Sequence, residues 1–401
     1  MLHSAIEILL AVLSLSGLAY YLIALASAYS FHREGKHIAL LDFSPPVSIL
    51  KPLKGAAPDT YEALRGHCLQ DYIQYEILFG VNDGNDPAIP IVNRLISEFP
   101  NIPIRLIVCS EVLGANRKVS NLVHLLREAR HDLILVNDGD ILVSPAYLRR
   151  VMSKFEHPEI GMVTCLYRGR AARTLGSRLE AQGIATDFAP GVLTARKMEG
   201  GLRFGLGSTL AMTRAALDKI GGFAAVVDYL ADDYQLGERI AASGFKVCLS
   251  DEVVETSIPP YSFSQFWQHQ LRWARTMRVS RPGGYFGTVL TFALPWSILL
   301  VIAAPQRWWA WSLLVIALIV RLLLARTVGA RILEDRNMTR NLWLLPVRDL
   351  LGLAIWIWSY ADNEVHWRGE TFRLRKGKML PIRRGTEIDT TDVEASDAQR
   401  R

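Results

Sequence analysis

Residues 132–143 read Asp-Leu-Ile-Leu-Val-Asn-Asp-Gly-Asp-Ile-Leu-Val. Leu133–Val136 is a short apolar run with two β-branched members, the pattern of a strand buried on both faces. It stops at Asn137-Asp138-Gly139-Asp140. Carboxylates at the carboxyl end of a buried strand lie where open α/β sheets take their ligands. Two of them in this spacing can hold a hard divalent cation that keeps positions open for substrate phosphates. The plainer reading is an Asp-Gly turn between two strands, and the rest of the chain must decide.

On either side the sequence alternates strand-like and helix-like stretches. Strands are expected at residues 47–50, 76–81, 104–108, 133–136, 161–166 and 246–249, and helices at 58–69, 87–99, 118–129, 145–155 and 234–242. Such β-α spacing predicts an α/β fold, a mostly parallel sheet covered on both faces. Residues 171–203 have no clear period, and 205–212 are glycine-rich and extended.

The chain has 401 residues, half of them apolar, a net charge of +6 and a sequence pI near 9.1. This length predicts one large domain with appendages. The apolar excess predicts membrane segments, and the basic residues crowd beside them, so a bilayer partner is expected and nucleic acid is not. Four dispersed cysteines without a C-x-x-C pair read as reduced core thiols. Residues 6–29 suit one bilayer crossing, and the basic residues that follow place the next domain in the cytoplasm. Residues 288–305 and 308–324 read as a transmembrane hairpin with Trp308 and Trp309 as interfacial anchors. Residues 342–360 are apolar but carry Pro346, Arg348 and Asp349, and the tail beyond is basic, so a re-entrant or interfacial segment is expected. The expected organisation is an anchor at 1–31, a catalytic domain at 44–258 and an interfacial helix region at 259–287. A transmembrane hairpin at 288–325, the apolar segment at 342–360 and a cytoplasmic tail at 361–401 complete it, with residues 387–401 polar and disordered.

Four features carry chemistry. Asp83 and Asp86 follow the second strand, where a Rossmann-like unit contacts a nucleoside. Asp138 and Asp140 follow the fourth. Asp232 and Asp233 introduce a helix, where an aspartate also serves as a cap in a favourable dipole. His269, Arg272 and Trp273 lie in residues 263–279, which pair an aromatic face with an Arg272, Arg275 and Arg278 stripe. Basic amphipathic helices of this kind lie in membrane interfaces; the alternative is a helix packed on the domain.

In this order the residues resemble the D, D-x-D, (E/D)-D, (Q/R)-x-x-R-W series of inverting glycosyltransferases with the glycosyltransferase-A fold. The sequence is most similar to ceramide glucosyltransferases and their bacterial hopanoid-glycosylating relatives. Further matches are Asn82-Asp83-Gly84-Asn85-Asp86-Pro87-Ala88, Gly114 to Leu122 (Gly-Ala-Asn-Arg-Lys-Val-Ser-Asn-Leu), Met162 to Gly169, Gly222-Phe223 and the stretch from Trp367 to Leu374. The resemblance implies that Asp83, Asp86, Asn116, Lys118 and Asp138 bind the nucleotide and that Asp138 and Asp140 hold Mg2+ or Mn2+. It further implies Asp233 as general base beside Asp232, and Arg272 and Trp273 at the diphosphate and acceptor. His269 departs from the family pattern, as does Asp187, which stands about where ceramide enzymes carry a histidine near the acceptor. The implied activity moves glucose or N-acetylglucosamine from a UDP-sugar to a hydroxyl of a membrane lipid, hopanoid or ceramide-like. Competing readings are a processive polysaccharide synthase, which needs more channel helices, an inactive nucleotide-sugar-binding scaffold, and a metal-dependent phosphohydrolase. The retained acidic positions and the Arg272-Trp273 pair weigh against the last two.

Overall fold

The computed structural model describes residues 2–35, 43–367 and 369–382. Eight strands form one mixed sheet: β1 (Val47–Pro52), β2 (Tyr75–Val81), β3 (Ile104–Val108), β4 (Leu133–Val136), β5 (Ile141–Leu142), β6 (Ile160–Ala171), β7 (Leu210–Thr213) and β8 (Lys246–Ile258). Their order is β3-β2-β1-β4-β7-β6-β8-β5. β3, β2, β1 and β4 are parallel. β7 runs antiparallel to both its neighbours, and β6 and β8 are parallel. The chain lays down β1, β2 and β3 toward one edge and then returns to place β4 on the other side of β1. The strand order therefore reverses between β1 and β4, and their carboxyl ends frame the crevice in which such sheets bind ligands.

Burial follows the two-residue period of a strand covered on both faces. Ile134 and Val136 enter one apolar cluster, and Leu133 and Leu135 enter the other. All four are at most 8% exposed, and each such burial is worth roughly 1.5–3 kcal/mol. The four cysteines are free thiols.

The first half matches the sequence reading closely, and the α/β expectation holds. The second half differs. Residues 171–203, without a readable period, hold helices Leu175–Gly183 and Ala189–Met198 joined by a π-helical stretch, Ile184–Phe188. Five-residue hydrogen-bond spacing erases the 3.6-residue pattern there. β8 spans thirteen residues rather than four, because a register shift at Cys165/Leu166 lets its polar middle stay paired with β6. The expected first arm of the hairpin is broken: helices Pro282–Thr291 and Ala293–Ala303 meet at 51°. Pro295 has no N–H and fits only the first turn of a helix, so the second piece must restart just before it.

Three described helices are long and apolar enough to cross a membrane: Ser4–Gly35, Trp308–Ile332 and Thr339–Trp358. The first packs against Ala293–Ala303 so closely that a Cβ on Gly17 would sit 2.4 Å from the Ala293 nitrogen. The segment after Trp358 is not an extended tail. β9 (Glu364–Trp367), β10 (Glu370–Arg375) and β11 (Lys378–Pro381) form an antiparallel sheet. It docks on the catalytic domain through Met379 N, which donates to Asp228 O at 2.8 Å, and a bridge from Tyr229 to Lys378. Val365, Phe372, Leu374 and Met379 bury against Leu230. Residues 387–401 lie outside the described residues.

Candidate active site

The crevice between β1 and β4 is built on buried polar groups. Lys51, the penultimate residue of β1, is fully buried. Its ammonium donates to Asp138 O at 2.8 Å and lies 3.4 Å from His67 Nε2. Burial pulls this amine down to about 7, while Asp140 and Asp138 work in the other direction. Asn137 Nδ2 donates to Ser208 O at 2.7 Å and to the Tyr147 hydroxyl at 2.9 Å. The backbone that presents Asp138 and Asp140 is thus fixed from both sides.

Lys118 joins this turn to the acidic helix start. Its Nζ lies 2.8 Å from Asp138 Oδ1 and 3.3 Å from Asp232 Oδ2. Burial opposes its charge, yet Asp138 and Asp232 hold it protonated above its ordinary range. Asn116 puts Lys118 there as the N-cap of helix Arg117–Glu128: Oδ1 accepts from Val119 N at 3.2 Å, and Nδ2 donates to Tyr229 O at 2.8 Å. The same amide nitrogen approaches Asp232 Oδ1 at 3.4 Å. Asn116 is completely buried, so its described role is to set the helix start.

Asp232 and Asp233 open helix Asp232–Ala242. Asp233 Oδ1 accepts from Tyr234 N at 2.7 Å. Burial and the adjacent Asp232 push the Asp233 carboxyl up to about 6. The glycine-rich loop closes the space: a Cβ on Gly207 would lie 3.1 Å from Asp233 Oδ2 and 3.8 Å from Asp138 Oδ2. Glycine at 207 therefore leaves a gap between those two carboxylates that any side chain would begin to fill.

The remaining acidic residues differ from one another. Asp140 accepts from the Thr256 hydroxyl at 2.7 Å, and burial together with Asp138 raises its carboxyl. Asp83 stands exposed after β2, with Oδ1 accepting from Asn85 N at 2.9 Å. Asp86 has both oxygens on Gly55 N, and Oδ1 also takes Ala88 N at 2.9 Å, so its carboxylate ties two loops together.

Helix Phe263–Ser280 starts at a capping box made by Ser262 and Gln265. Its Arg275 and Arg278 turn toward protein: Arg275 Nη1 donates to Glu364 O at 2.6 Å and Arg278 Nη2 to Asp362 O at 2.8 Å. Guanidinium donors satisfy the carbonyls of this turn, so the basic stripe fastens the small sheet. Phe263 and Met277 stay about half exposed. His269 Nδ1 lies 3.0 Å from Glu180 Oε1, and Gln270 Nε2 donates to Glu180 Oε2 at 2.9 Å. Arg272 lines a 260 Å³ cleft with His269, Tyr261, Arg275 and His366. From His269 an aromatic series runs through Trp273 and Phe188 to Tyr167, with ring centres 5.5, 6.0 and 5.0 Å apart. Burial raises the Tyr167 hydroxyl well above its ordinary range, and Asp233, Glu180, Asp138 and Asp140 add to the effect. Tyr167 thus links the helix to the carboxylates.

The fold therefore gathers Asn116, Lys118, Asp138, Asp232 and Asp233, sets Asp140 beside them, and brings His269 and Arg272 to the cleft on helix Phe263–Ser280, with Trp273 against His269 and Phe188. Four participants had no site role in the sequence reading: Lys51, Tyr167, Glu180 and Gly207. Lys51 had a legible signal, a lysine at the end of an apolar strand. Glu180 had none, because its partners lie about ninety residues away.

Among the described residues no group of three or more His, Cys, Asp or Glu side chains comes together as a metal cage. The donor set present is two carboxylates, Asp138 and Asp140, one of them raised by the other and by burial. Surplus negative charge on hard oxygens fits Mg2+ or Mn2+, which bind through one or two carboxylates plus phosphate oxygens and water.

Residues 9–380 match the family described as Glycosyl transferase family 21. The chain belongs to that family. Ceramide glucosyltransferase 3 of Caenorhabditis elegans is 26% identical over 378 residues, covering 90% of this chain and 79% of that one. Ceramide glucosyltransferase 1 of the same organism is 27% identical over 269 residues, 66% of this chain and 57% of that one. Among solved structures, a mannosyltransferase of Pyrobaculum calidifontis in complex with GDP-Man and Mn2+ is 19% identical, covers 86% of this chain and 99% of that one, and has a TM-score of 0.49. As a member of the ceramide glucosyltransferase family, the protein is a hexosyltransferase, and its long apolar helices fit a membrane protein.

Proposed function

We propose that this hexosyltransferase moves glucose or N-acetylglucosamine from a UDP-sugar to a hydroxyl of a membrane lipid, hopanoid or ceramide-like, with inversion. The observation that carries the reading is the single constellation of Lys118, Asp138, Asp232 and Asp233 at the strand-order reversal. The similar Caenorhabditis elegans proteins are named for glucosyl transfer to ceramide, which supports a lipid acceptor.

In this reading Asp83 faces the nucleoside from its exposed position after β2. Asp138 and Asp140 hold Mg2+ or Mn2+, which when bound supplies positive charge against the leaving diphosphate. Lys118 adds a fixed positive charge from the protein side. The acceptor oxygen attacks the anomeric carbon as the bond to the diphosphate breaks, and the hydroxyl proton passes to Asp233. A carboxyl raised to about 6 is ionised at neutral pH yet more basic than an ordinary aspartate, which suits that task. Arg272 and Trp273 border the diphosphate and acceptor from the adjoining helix.

The active site is proposed to face the cytoplasm, with residues 6–29 as one crossing and the Pro305-Gln306-Arg307 turn on the far side. The docking of β11 on Asp228 and Tyr229 supports it, since it keeps the segment after Trp358 beside the catalytic domain. With helices Ala293–Ala303 and Trp308–Ala325 forming a hairpin, helix Leu345–Trp358 then enters and leaves on the same side. The test is lipid analysis by mass spectrometry after expression in a host lacking glycolipids. A new hexosyl lipid is expected; a sugar polymer in its place would overturn the reading.

A further inference from the structure

A second basic recess lies at the membrane end of helix Trp308–Ala325, far in sequence from the groups above. That helix continues as a π-helical stretch, Arg326–Ile332. Its widened turns are visible in Leu333 N, which donates to the carbonyl five residues back, on Val328, at 2.9 Å. The spacing matters for two arginines. In an α-helix residues 326 and 331 would point about 140° apart, five steps of 100°. With hydrogen bonds reaching five residues, positions five apart stack instead. Arg326 and Arg331 accordingly line one 170 Å³ recess, together with Thr327, Ala330 and Leu323.

Both guanidiniums are solvent-facing, and among the described residues neither has a carboxylate in ion-pair range. The recess is amphipathic along the helix axis. Leu323, half exposed, lies on the apolar helix, and the two forks and the Thr327 hydroxyl lie at its polar end. Paired guanidiniums match the geometry of a phosphate anion. Basic recesses at the cytoplasmic end of membrane helices take lipid headgroups.

We propose that Arg326, Thr327 and Arg331 form a binding site for the phosphodiester of an anionic glycerophospholipid, with Leu323 against its acyl chain. This places a resident lipid on a different helix from Arg272 and Trp273. A free phosphate shares the headgroup's chemistry but gains nothing from Leu323.

The test uses the full-length protein in vesicles of equal parts phosphatidylcholine and phosphatidylglycerol, with retained phosphatidylglycerol read by native mass spectrometry. A charge-assisted hydrogen bond from each fork is worth about tenfold or more, so Arg326→Gln with Arg331→Gln should lower retention about a hundredfold. Arg336→Gln with Arg340→Gln removes the same charge from the exposed residues that follow this stretch, without touching the recess, and should leave retention within a few-fold. Equal losses in both double variants would show diffuse attraction and overturn the site. Displacement of the lipid by inorganic phosphate at constant ionic strength would assign the recess to a soluble anion and overturn the lipid proposal. Arg326→Lys with Arg331→Lys guards against misfolding: it keeps the charge, and retention between the two extremes is expected from loss of the planar fork alone.

Discussion

The Lys118 ammonium lies 2.8 Å from the Asp138 carboxylate and so pins the turn after β4 to the first turn of helix Arg117–Glu128. Lys118 is 9% exposed at its side chain, whereas Asp138 keeps 42%. Lys118→Met strands Asp232, which is 9% exposed, without its cation. Breaking a buried pair costs roughly 3–5 kcal/mol, and the exposure of Asp138 favours the lower end. A fall in denaturation midpoint with loss of UDP-sugar affinity is expected. Unchanged melting would show that the pair contributes nothing to the fold.

Asp233→Asn preserves shape but cannot accept a proton. Turnover should drop by about 10²–10⁴-fold with UDP-sugar affinity nearly unchanged. Calorimetric titration alongside single-turnover rates separates the two. Loss of nucleotide binding with turnover per bound donor intact would make Asp233 a ligand-holding residue.

The raised carboxyl of Asp233 also sets a pH dependence. As a base it is competent above about 6 and is lost as pH falls through that value. The stability term has the opposite sense. The folded state holds this proton more tightly than the unfolded chain, so acidification from about 6 toward the ordinary value of 3.8 favours folding through this group. A kcat/KM profile that stays flat through about pH 6 would contradict the assignment.

Asp140 should matter through the divalent cation. Asp140→Ala is expected to weaken UDP-sugar binding in Mg2+ or Mn2+ while leaving the weaker metal-free binding in place. Full turnover in excess chelator would refute metal dependence altogether.

Glu180 is 2% exposed and receives both His269 and Gln270. Glu180→Ala leaves those side chains without their acceptor and should destabilise the protein by roughly 1–3 kcal/mol, with a rise in KM because Trp273 shifts against Phe188. Glu180→Asp should recover part of the KM effect. An unchanged KM in the alanine variant would mean that the cleft does not depend on this contact.

Where a residue's environment is set by its neighbours in sequence, the chain was readable. Ile104–Val108 and Leu133–Val136 stand as strands with the expected ends, because a short apolar run admits few alternatives inside a covered sheet. The family resemblance assigned Asp138, Lys118 and Asp232 to one site, though not Lys118 to a place between the two carboxylates. Elsewhere distant partners decide. Glu180, Arg321 and Asp349 carry no local sign of which group they meet, yet each is buried with a partner from another helix. The four strand residues Glu364–Trp367 are too few to announce β9, which exists because Arg275 binds its first carbonyl.

Arg321 grips Asp349 with two nitrogens, at 2.5 and 2.9 Å, and reaches Asp187 at 2.6 Å. These three residues belong to two apolar helices and to the catalytic domain between Pro46 and Ser257. A lone arginine or aspartate costs roughly 2.5–3.5 kcal/mol to insert at the centre of a membrane helix. Helix Trp308–Ala325 therefore settles less readily before helix Leu345–Trp358 has been made, and both fit better once the domain translated ahead of them has folded and presents Asp187. Biogenesis of this protein has a built-in order: catalytic domain first, last two apolar helices together. In ribosome-bound chains ending between the two helices, a cysteine placed in helix Trp308–Ala325 should stay open to water-soluble reagents although helix Ser4–Gly35 is already in place, and its protection would break that order.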